Sequence, residues 1–583
     1  MKLRKSLAYM ATLLSVVALS FASGAQSVAA ATKQANLPLA YNNKKAAKKG
    51  GTLKIGYVSD SAFKGIFNDG LSDDANDSTF AQFGDMPLFK TDDNYKFVKG
   101  GAADISFDQN AKTATITINP KVKWSDGQPL VAKDIVYSYE IIANKDSGSS
   151  RYTDSLKNIE GMEEYHEGKA DSISGLEIKD DHTLVIHFKE MKPGMTTSGS
   201  GYIWEFASPY HYLKDVPFKD LQSSDKIRKA PLYYGPYMIK KIVQGESIEW
   251  VPNPYYFGKK PKFDKITIET VSPSSASAAL KSKKYDILWQ LPSSVYGKNK
   301  KVDGYVYTGK QELAYNYLAF KVGKFDNETS KNVMDKNAKM NNRSLRQAIA
   351  YAMNIQQVSD KFGYGLKTRA TTLIPPAFGD YHDKSVKGYA YNLKKANNLL
   401  DKAGYKKGKD GYRTDPNGKK LTIYLAAMSG SADQEAIIKN YIQQWKKVGL
   451  RVKLVNGRLL DFNNFYDKVQ NDVKGIDMFM GAWSLSSEPS PNDLYSEGAP
   501  YNMSRFVSKE NNTLLANIDS AKSFNTKYRI KQFYKWQEYM NKEAYVVPMQ
   551  YYYDATPVAK NIKGYTNQVS KSYYLWENVS FSK

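Results

Sequence analysis

Two kinds of hydrophobic pattern divide the chain. In the first part, short segments alternate apolar and polar residues with the period of two that marks a half-buried strand. These segments are residues 50–58, 114–120, 183–188 and 262–271. Residues 233–257 alternate on both sides of Gly245, which predicts a hairpin that turns at this glycine. The first part of the chain is therefore predicted to be rich in strands.

The later part of the chain has the period of a helix. Its amphipathic segments are residues 343–353, 392–405 and 433–449. The second segment begins at Asn392, a suitable N-cap, and ends at Gly404, a residue type favoured just after a helix. An apolar strand is predicted at 450–455, directly after the third helix. Helices and strands alternate here, which predicts an α/β fold.

The most distinctive order of residues lies at 119–140. Gly127 supplies the positive φ of a tight turn, and the turn leads into a helix with Asp134 at its front. This order resembles the signature of the peptide/nickel-type substrate-binding proteins of ABC importers. The resemblance rests on Lys123, Trp124, Asp126, Gly127, Pro129, Ala132, Asp134 and Ile135.

Further segments resemble the same family and occur in the family's order. They are residues 50–56, 235–266, 278–287, 343–353, 392–405 and 545–553. The resemblance therefore extends over nearly all of residues 50–583. It implies an α/β, two-lobed fold like that of periplasmic binding proteins, in the class with an extra subdomain. Two crossover strands would join the lobes, and the ligand would lie in the cleft between them.

The resemblance also implies a division of the chain. Lobe I is expected to comprise residues 50–84, 206–313 and 548–583, with an inserted subdomain at 85–205. Lobe II is expected at 314–547, and the crossings near 313–315 and 544–547. Residues 1–31 have the basic start, apolar stretch and small residues of a secretory signal peptide, and a short membrane anchor is the alternative. Residues 32–49 are expected to form a flexible basic leader.

The family implies a function. A member of its peptide-binding branch would capture oligopeptides through main-chain hydrogen bonds and deliver them to a membrane permease. We expect no catalysis and no cofactor: the histidines lack zinc-ligand spacing, and no nucleophile elbow or phosphate loop is present. Two alternatives remain open. One is a binding protein for a nickel chelate, haem or a sugar, and the other is a cell-wall-associated adhesin on the same fold.

The candidate site lies at 476–506, where an apolar strand runs into a loop. Trp483 matches an aromatic residue of peptide-binding members, and its neighbours on the strand are included with it. Some members carry an Asp just after this Trp that pairs with the peptide amino group. This chain has Leu485 and Ser486 there, and the nearest acid is Glu488. The candidate ligand-binding residues are Tyr315, Asn316, Gly481, Ala482, Trp483, Ser484, Glu488, Asn502 and Arg505.

Each of these residues has an ordinary structural alternative. Trp483 could instead pack in the core, and Glu488 could be a solvated turn residue. Tyr315 and Asn316 could be plain strand residues of the first crossing strand. No metal ligand is among the candidates.

Charge and cysteine content bear on location. The chain has no cysteine, so the lipidated cysteine common in this family is missing. We therefore expect a secreted protein that lies at the extracellular face of the cell envelope without a lipid anchor. The formal net charge is +24. In a secreted protein this predicts association with anionic cell-wall polymers rather than nucleic acid, with a basic solubilising surface as the alternative. We expect a monomer.

Overall fold

A computed structural model describes residues 34–430 and 433–583. The predicted signal peptide at 1–31 lies outside the described residues. Among the described residues, no helix combines the length and apolar character that a membrane crossing needs. Two large sheets organise the rest of the chain, one of seven strands and one of six. We name the part around the seven-stranded sheet lobe I and the part around the six-stranded sheet lobe II.

The seven-stranded sheet is built around the first long strand. Its strands in spatial order are Tyr237–Val243, Ser247–Pro252, Lys265–Val271, Thr52–Val58, Ile287–Trp289, Thr556–Ala559 and Tyr305–Thr308. Leu53 and Ile55 of the central strand are fully buried, as their alternation predicts. The predicted hairpin is confirmed, and Gly245 takes a φ of +76° between its two strands.

The six-stranded sheet carries the largest core. Its strands in spatial order are Lys367–Arg369, Val546–Tyr553, Gln311–Phe320, Met478–Ser484, Ile423–Ala427 and Val452–Leu454. Gln311–Phe320 pairs antiparallel with a neighbour on each side, and its segment from Tyr317 to Phe320 is buried. This segment is a continuous apolar run, as expected where a strand is buried on both faces.

Helices cover the sheets. The α-helices are Ala75–Ala81, Ala132–Ala143, Met162–His166, Tyr210–Leu213, Asp225–Arg228, Ala276–Lys281, Ser293–Lys298, Arg343–Tyr351, Ile355–Phe362, Leu393–Lys402, Gln434–Lys447, Phe462–Gln470, Asn492–Tyr495, Lys509–Ile518, Thr526–Glu543, Val569–Ser572 and Leu575–Asn578. The predicted cap is confirmed: the Asn392 side chain accepts a hydrogen bond from the Lys395 amide at 2.8 Å. Gly404, with a φ of +83°, follows the same helix.

A four-stranded antiparallel sheet forms a separate layer. Its strands in spatial order are Ala103–Asp108, Thr113–Ile118, Thr183–His187 and Leu176–Asp180. Ala132–Ala143 packs here, and its Asp134 accepts hydrogen bonds from Trp124 Nε1 at 2.9 Å and from the Val131 amide at 3.0 Å. Burial raises the pKa of Asp134. These hydrogen bonds hold the turn against the start of the helix, so the most distinctive sequence motif has a structural role.

The chain crosses between the lobes at two neighbouring points. It leaves the seven-stranded sheet after Thr308, enters the six-stranded sheet at Gln311, and returns between Tyr553 and Thr556. The Asp554 amide donates to the Lys310 carbonyl at 2.8 Å, so the two crossings lie side by side. The expected positions at 313–315 and 544–547 fall inside or beside strands of lobe II instead. The reason is that Gln311 already pairs with Tyr553 across the sheet.

Residues 34–49 differ from the flexible leader expected at 32–49. Ala40–Tyr41 pairs with Tyr565–Thr566, and Ala47–Lys48 pairs with Ser580–Ser582. These contacts tie the start of the described chain to its end, against lobe I. The remaining short strands are Lys90–Thr91, Phe97–Val98, Gly323–Asp326, Lys331–Met334 and Ile562–Lys563.

Candidate functional site

A large cavity lies between the lobes. Its volume is 1040 Å³, at the upper end of the roughly 300–1,000 Å³ typical of ligand sites. Lys64, Arg151 and Tyr202 line it from the lobe I side, and Tyr466 and Trp483 line it from lobe II. Because both lobes supply the wall, opening or closing them would open or close the cavity.

Trp483 stands in this wall. Its strand, Met478–Ser484, pairs with the first crossing strand, Gln311–Phe320, and Trp483 lies opposite Tyr315 in this pairing. The indole stacks on Tyr317 at 6.3 Å between ring centroids and meets Tyr501 edge-on at 5.7 Å. Trp483 is half-buried and lines the cavity. The ring is therefore packed against lobe II and also presented to the cavity.

The residues beside Trp483 have different roles. Ala482 and Ser484 line the cavity, whereas Gly481 does not. A Cβ at position 481 would lie 2.8 Å from the Tyr317 hydroxyl oxygen, so glycine lets Tyr317 pack closely on this strand. The Tyr466 hydroxyl donates to the Ala482 carbonyl at 2.9 Å.

The strand that carries Trp483 has one edge that is only partly paired. On the side away from the first crossing strand it pairs with Ile423–Ala427, and this pairing ends at Met480. Beyond Met480, no strand of the described residues pairs with that edge. Main-chain groups of 482–484 therefore border the cavity at a place where a further strand could be added, and the Tyr466 hydroxyl already bonds to those of Ala482.

The first crossing strand contributes Tyr315 but not Asn316. Tyr315 is fully buried, lines the cavity, and shares a hydrogen bond of 2.6 Å with the Tyr495 hydroxyl. Burial raises the pKa of Tyr315. Asn316 lies outside the cavity wall and donates to Gln550 Oε1 at 3.2 Å. The structure thus brings Tyr315 to the candidate site and leaves Asn316 in the sheet.

Glu488 lines the cavity, but its carboxylate is engaged inside the protein. Arg529 Nη2 donates to Glu488 Oε1 at 2.6 Å and lies 3.1 Å from Asp519 Oδ1. The Ser490 amide donates to the other oxygen of Glu488 at 2.7 Å. Burial raises the pKa of Glu488 and Arg529 opposes this rise. Glu488 is 5% exposed, so the alternative of a solvated turn residue is wrong.

Asn502 and Arg505 lie in the core of lobe II, outside the cavity wall. Asn502 donates to the Phe506 carbonyl at 2.8 Å. Arg505 donates to Asp472 at 2.9 Å and to the Gln470 carbonyl at 2.6 Å. We therefore leave both residues out of the proposed site, because their polar groups already hold neighbouring loops together.

A hydrogen bond links the two sides of the cavity. Ser155 Oγ donates to the Asp493 carboxylate at 3.1 Å. Ser155 belongs to the part of the chain that carries the four-stranded sheet, and Asp493 belongs to the loop after Trp483. Burial raises the pKa of Asp493 to about 7, although the bond from Ser155 lowers it. The two walls are therefore in contact at this point.

Sequence reasoning missed the charged residues of the wall. Lys64, Arg151, Glu312, Lys367 and Asp467 all line the cavity. They come from separate segments, and none stands in a motif, so no short-range pattern distinguishes them from solvated charges. Only the meeting of the two lobes brings them together.

The comparisons with known proteins agree with this geometry. The profile described as "Bacterial extracellular solute-binding proteins, family 5 Middle" matches residues 96–505. The oligopeptide-binding protein OppA of Lactococcus lactis subsp. cremoris (strain SK11) is 46% identical over 580 residues, which cover 97% of this chain and 96% of the relative.

Solved structures give the same result. Lactococcal OppA, complexed with an endogenous peptide in the closed conformation, matches with a TM-score of 0.88 and 46% identity over 91% of this chain and 100% of that chain. AppA from Bacillus subtilis, in complex with a nonapeptide, matches with a TM-score of 0.76 over 92% of this chain and 100% of that chain. At 22% identity, the second likeness shows the fold alone. The chain belongs to family 5 of the bacterial extracellular solute-binding proteins, which have a two-lobed mixed α/β fold.

Proposed function

We propose that this protein is the substrate-binding component of an ABC importer, which captures oligopeptides between its lobes and delivers them to a membrane permease. One observation carries the proposal. A cavity of 1040 Å³ is bordered by the partly unpaired strand edge at 482–484, in a chain 46% identical to an oligopeptide-binding protein. No catalytic step is part of the proposal.

The strand edge explains how peptides of many sequences could be held. An extended peptide added to the edge would hydrogen-bond through its main chain, which all peptides share. Each such bond contributes about 0.5–1.5 kcal/mol net, and a micromolar affinity is about −8 kcal/mol. Six to eight main-chain bonds, with modest burial against Trp483 and Tyr501, are therefore of the right order. The edge at 482–484 would supply only some of these bonds, and other parts of the cavity wall would supply the rest.

The site offers no carboxylate clamp at the place, just after Trp483, where some family members carry one for the peptide amino group. The position where some family members carry an Asp is occupied by Leu485 and Ser486, and Glu488 is bound to Arg529. We infer that the peptide ends are not held there. Blocking the amino terminus of a peptide by acetylation should then change its affinity by less than about threefold, which is less than one charged hydrogen bond.

Closure is the proposed conformational step. The two crossings lie side by side at 308–311 and 553–556, which is the geometry of a hinge. The bond from Ser155 to Asp493 joins the two sides of the cavity wall. A bound peptide would bridge the same two walls and favour the closed form, which the permease would recognise.

Calorimetry can test the proposal. The protein would be freed of co-purified ligand in guanidinium, refolded, and titrated with a nonapeptide, with a peptide of the same residues in scrambled order, and with nickel–histidine, haem and a sugar. We expect both peptides to bind with similar affinity, and the other ligands to give no saturable heat. Saturable binding of one non-peptide ligand, with none of either peptide, would overturn the proposal.

A second proposal concerns retention at the cell. The chain has a net charge of +24 and no cysteine for a lipid anchor. We infer that its basic surface binds anionic polymers of the cell wall while the monomeric protein remains at the extracellular face. Such binding acts between exposed charges, so salt should weaken it. An adhesive role of the same surface would be compatible with peptide capture.

A further inference from the structure

The cavity has the opposite charge balance to the rest of the chain. The whole chain has 83 Lys and Arg residues against 59 Asp and Glu residues. The cavity wall has eight carboxylates against three basic side chains. The carboxylates are Asp73, Glu312, Asp433, Asp467, Glu488, Asp493, Asp519 and Asp554, and the basic side chains are Lys64, Arg151 and Lys367. A strongly basic protein thus has an acidic ligand cavity.

Only part of this negative charge is balanced within the protein. Glu488 and Asp519 share Arg529, and Asp73 pairs with Lys64 at 2.9 Å. Three carboxylates of the wall form no hydrogen bond or ion pair with another described residue. They are Glu312, Asp433 and Asp467.

Glu312 has the most informative position of the three. It lies on the strand Gln311–Phe320, directly after the first crossing, and is half-buried. The charged groups that face it are Asp554, Lys310 and Lys367. Burial and Asp554 raise the pKa of Glu312 to about 7, although the two lysines lower it.

The neighbouring lysine does not neutralise Glu312 by a direct ion pair. The Lys367 ammonium lies over the ring of Tyr552, 5.3 Å from its centroid, and is more than 4.0 Å from any described carboxylate oxygen. Burial lowers the pKa of Lys367. A carboxylate kept in a ligand cavity without a bonded cation lacks the partner that would compensate for its partial desolvation.

We propose that Glu312 forms a subsite for a cationic side chain of the captured peptide, so that the cavity prefers oligopeptides that contain Arg or Lys. This inference rests on the proposed function and names its substrate class. A guanidinium would bind both carboxylate oxygens, and an ammonium would bind as a point charge. A neutral side chain would leave Glu312 without a charged partner, and an acidic side chain would be repelled by the wall as a whole.

The basic exterior does not conflict with this preference. Its charges act on a peptide outside the cavity, where salt screens them over about 8 Å at physiological ionic strength. Inside the cavity the nearest groups determine the interaction, because low-dielectric walls reduce the screening. Affinity therefore follows the cavity lining, whereas the exterior acts mainly on the rate of encounter.

A charge scan of one peptide tests the subsite. In an uncharged nonapeptide, each position in turn would carry Arg, Gln or Glu, and affinities for the ligand-free protein would be measured by calorimetry at pH 7.5. We expect at least one position where Arg binds about tenfold more tightly than Gln and Glu binds more weakly than Gln. Glu312→Gln should abolish the advantage of Arg over Gln at that position.

Glu177→Gln is the matched control. Glu177 is an exposed carboxylate of the four-stranded sheet, paired with Lys179 and outside the cavity. This variant should keep the full preference for Arg. Equal affinities of the Arg and Gln peptides at every position, or a preference that survives Glu312→Gln, would overturn the subsite while leaving peptide binding intact. Failure of all the peptides to bind would overturn the proposed function and the subsite together.

The pH dependence provides an independent readout. With a pKa of about 7 before binding, Glu312 is mostly protonated at pH 6 and mostly ionised at pH 8. A cationic side chain favours the ionised form, so binding releases a proton at pH 6. The affinity of the Arg peptide should therefore rise about tenfold more from pH 6 to pH 8 in the wild type than in Glu312→Gln, where Asp493 still titrates. The same pH profile in both proteins would contradict the assignment to Glu312.

Discussion

Replacement of Arg529 by Met tests whether Glu488 is held by the protein rather than reserved for ligand. Arg529 lies 2.6 Å from Glu488 and 3.1 Å from Asp519, and all three side chains are buried. Met keeps a long apolar side chain and removes the charge. The variant leaves two carboxylates buried side by side with no cation bonded to them.

The loss can be estimated from this geometry. Removal of one partner of a buried ion pair destabilises a protein by about 3–5 kcal/mol. For a lobe of this size, about 4 kcal/mol corresponds to a fall in Tm of roughly 10 °C. Arg343→Met is the matched control, because Arg343 pairs with Glu543 at 2.7 Å but its side chain is 51% exposed. An exposed pair contributes less than about 1 kcal/mol, so this variant should lose at most about 4 °C.

The deficit of Arg529→Met should also depend on pH. Burial already raises the pKa of Glu488 and Arg529 opposes the rise, so loss of Arg529 should raise that pKa further. A carboxyl group whose pKa is higher in the folded state binds its proton more tightly when folded. Stability is then greatest below the unfolded pKa of about 4.3 and falls as the pH rises toward the folded pKa.

Thermal unfolding followed by circular dichroism at pH 5 and pH 8 checks both expectations. Arg529→Met should lose more stability at pH 8 than at pH 5, whereas Arg343→Met should differ little between the two. The reasoning would be refuted if both variants lost the same few degrees at pH 8. It would equally be refuted if the deficit of Arg529→Met were larger at pH 5.

Three further predictions concern the cavity, the core and the surface. Trp483→Ala should weaken peptide binding about tenfold by calorimetry, because the ring faces the cavity, whereas Tyr255→Ala, which removes an exposed ring outside the cavity, should not change it. Arg505→Lys should lower the free energy of unfolding in urea by about 2–4 kcal/mol, because the hydrogen bonds of Arg505 to Asp472 and to main-chain carbonyls are lost. Peptide affinity should stay within about twofold of the wild type. A large loss of affinity would return Arg505 to the site. Washing cells with molar salt should release the protein, as shown by immunoblot of the supernatant, and no release would exclude electrostatic retention.

Individual helices and hairpins were predictable from the sequence, because the residues that cause them lie within or next to these elements. The helix at Leu393–Lys402 has a cap residue before it and a glycine after it, and both lie within a few residues of the helix they delimit. The hairpin around Gly245 was predictable for the same reason. The family resemblance then supplied the two-lobed arrangement, which no local pattern contains.

The crossings and the early segment were less predictable because long-range pairing decides them. Strand Val546–Tyr553 extends to Tyr553 because it pairs with Gln311, more than two hundred residues away. Residues 40–48 have the composition of a basic leader, but strands near the end of the chain pair with them. Composition does not reveal a partner so distant along the chain.

The candidate site was only partly predictable. Trp483, Ala482 and Ser484 lie at the end of a strand that the pattern marks, and the cavity is found there. Asn502 and Arg505 lie in the same stretch of sequence but turn into the core, since the chain around them forms loops that need internal hydrogen bonds. No sequence pattern distinguished Glu312, because its proposed role depends on residues that are distant along the chain and are brought close only by the fold.

The most direct test is mass spectrometry of small molecules released by denaturation from the protein purified under native conditions. The account predicts a mixture of oligopeptides of varied sequence, enriched in Arg and Lys relative to the peptides of the growth medium. It also predicts that a synthetic copy of one of them binds again to the emptied protein. A single non-peptide compound that alone restores saturable binding would contradict the central claim that the cavity between the lobes holds peptides.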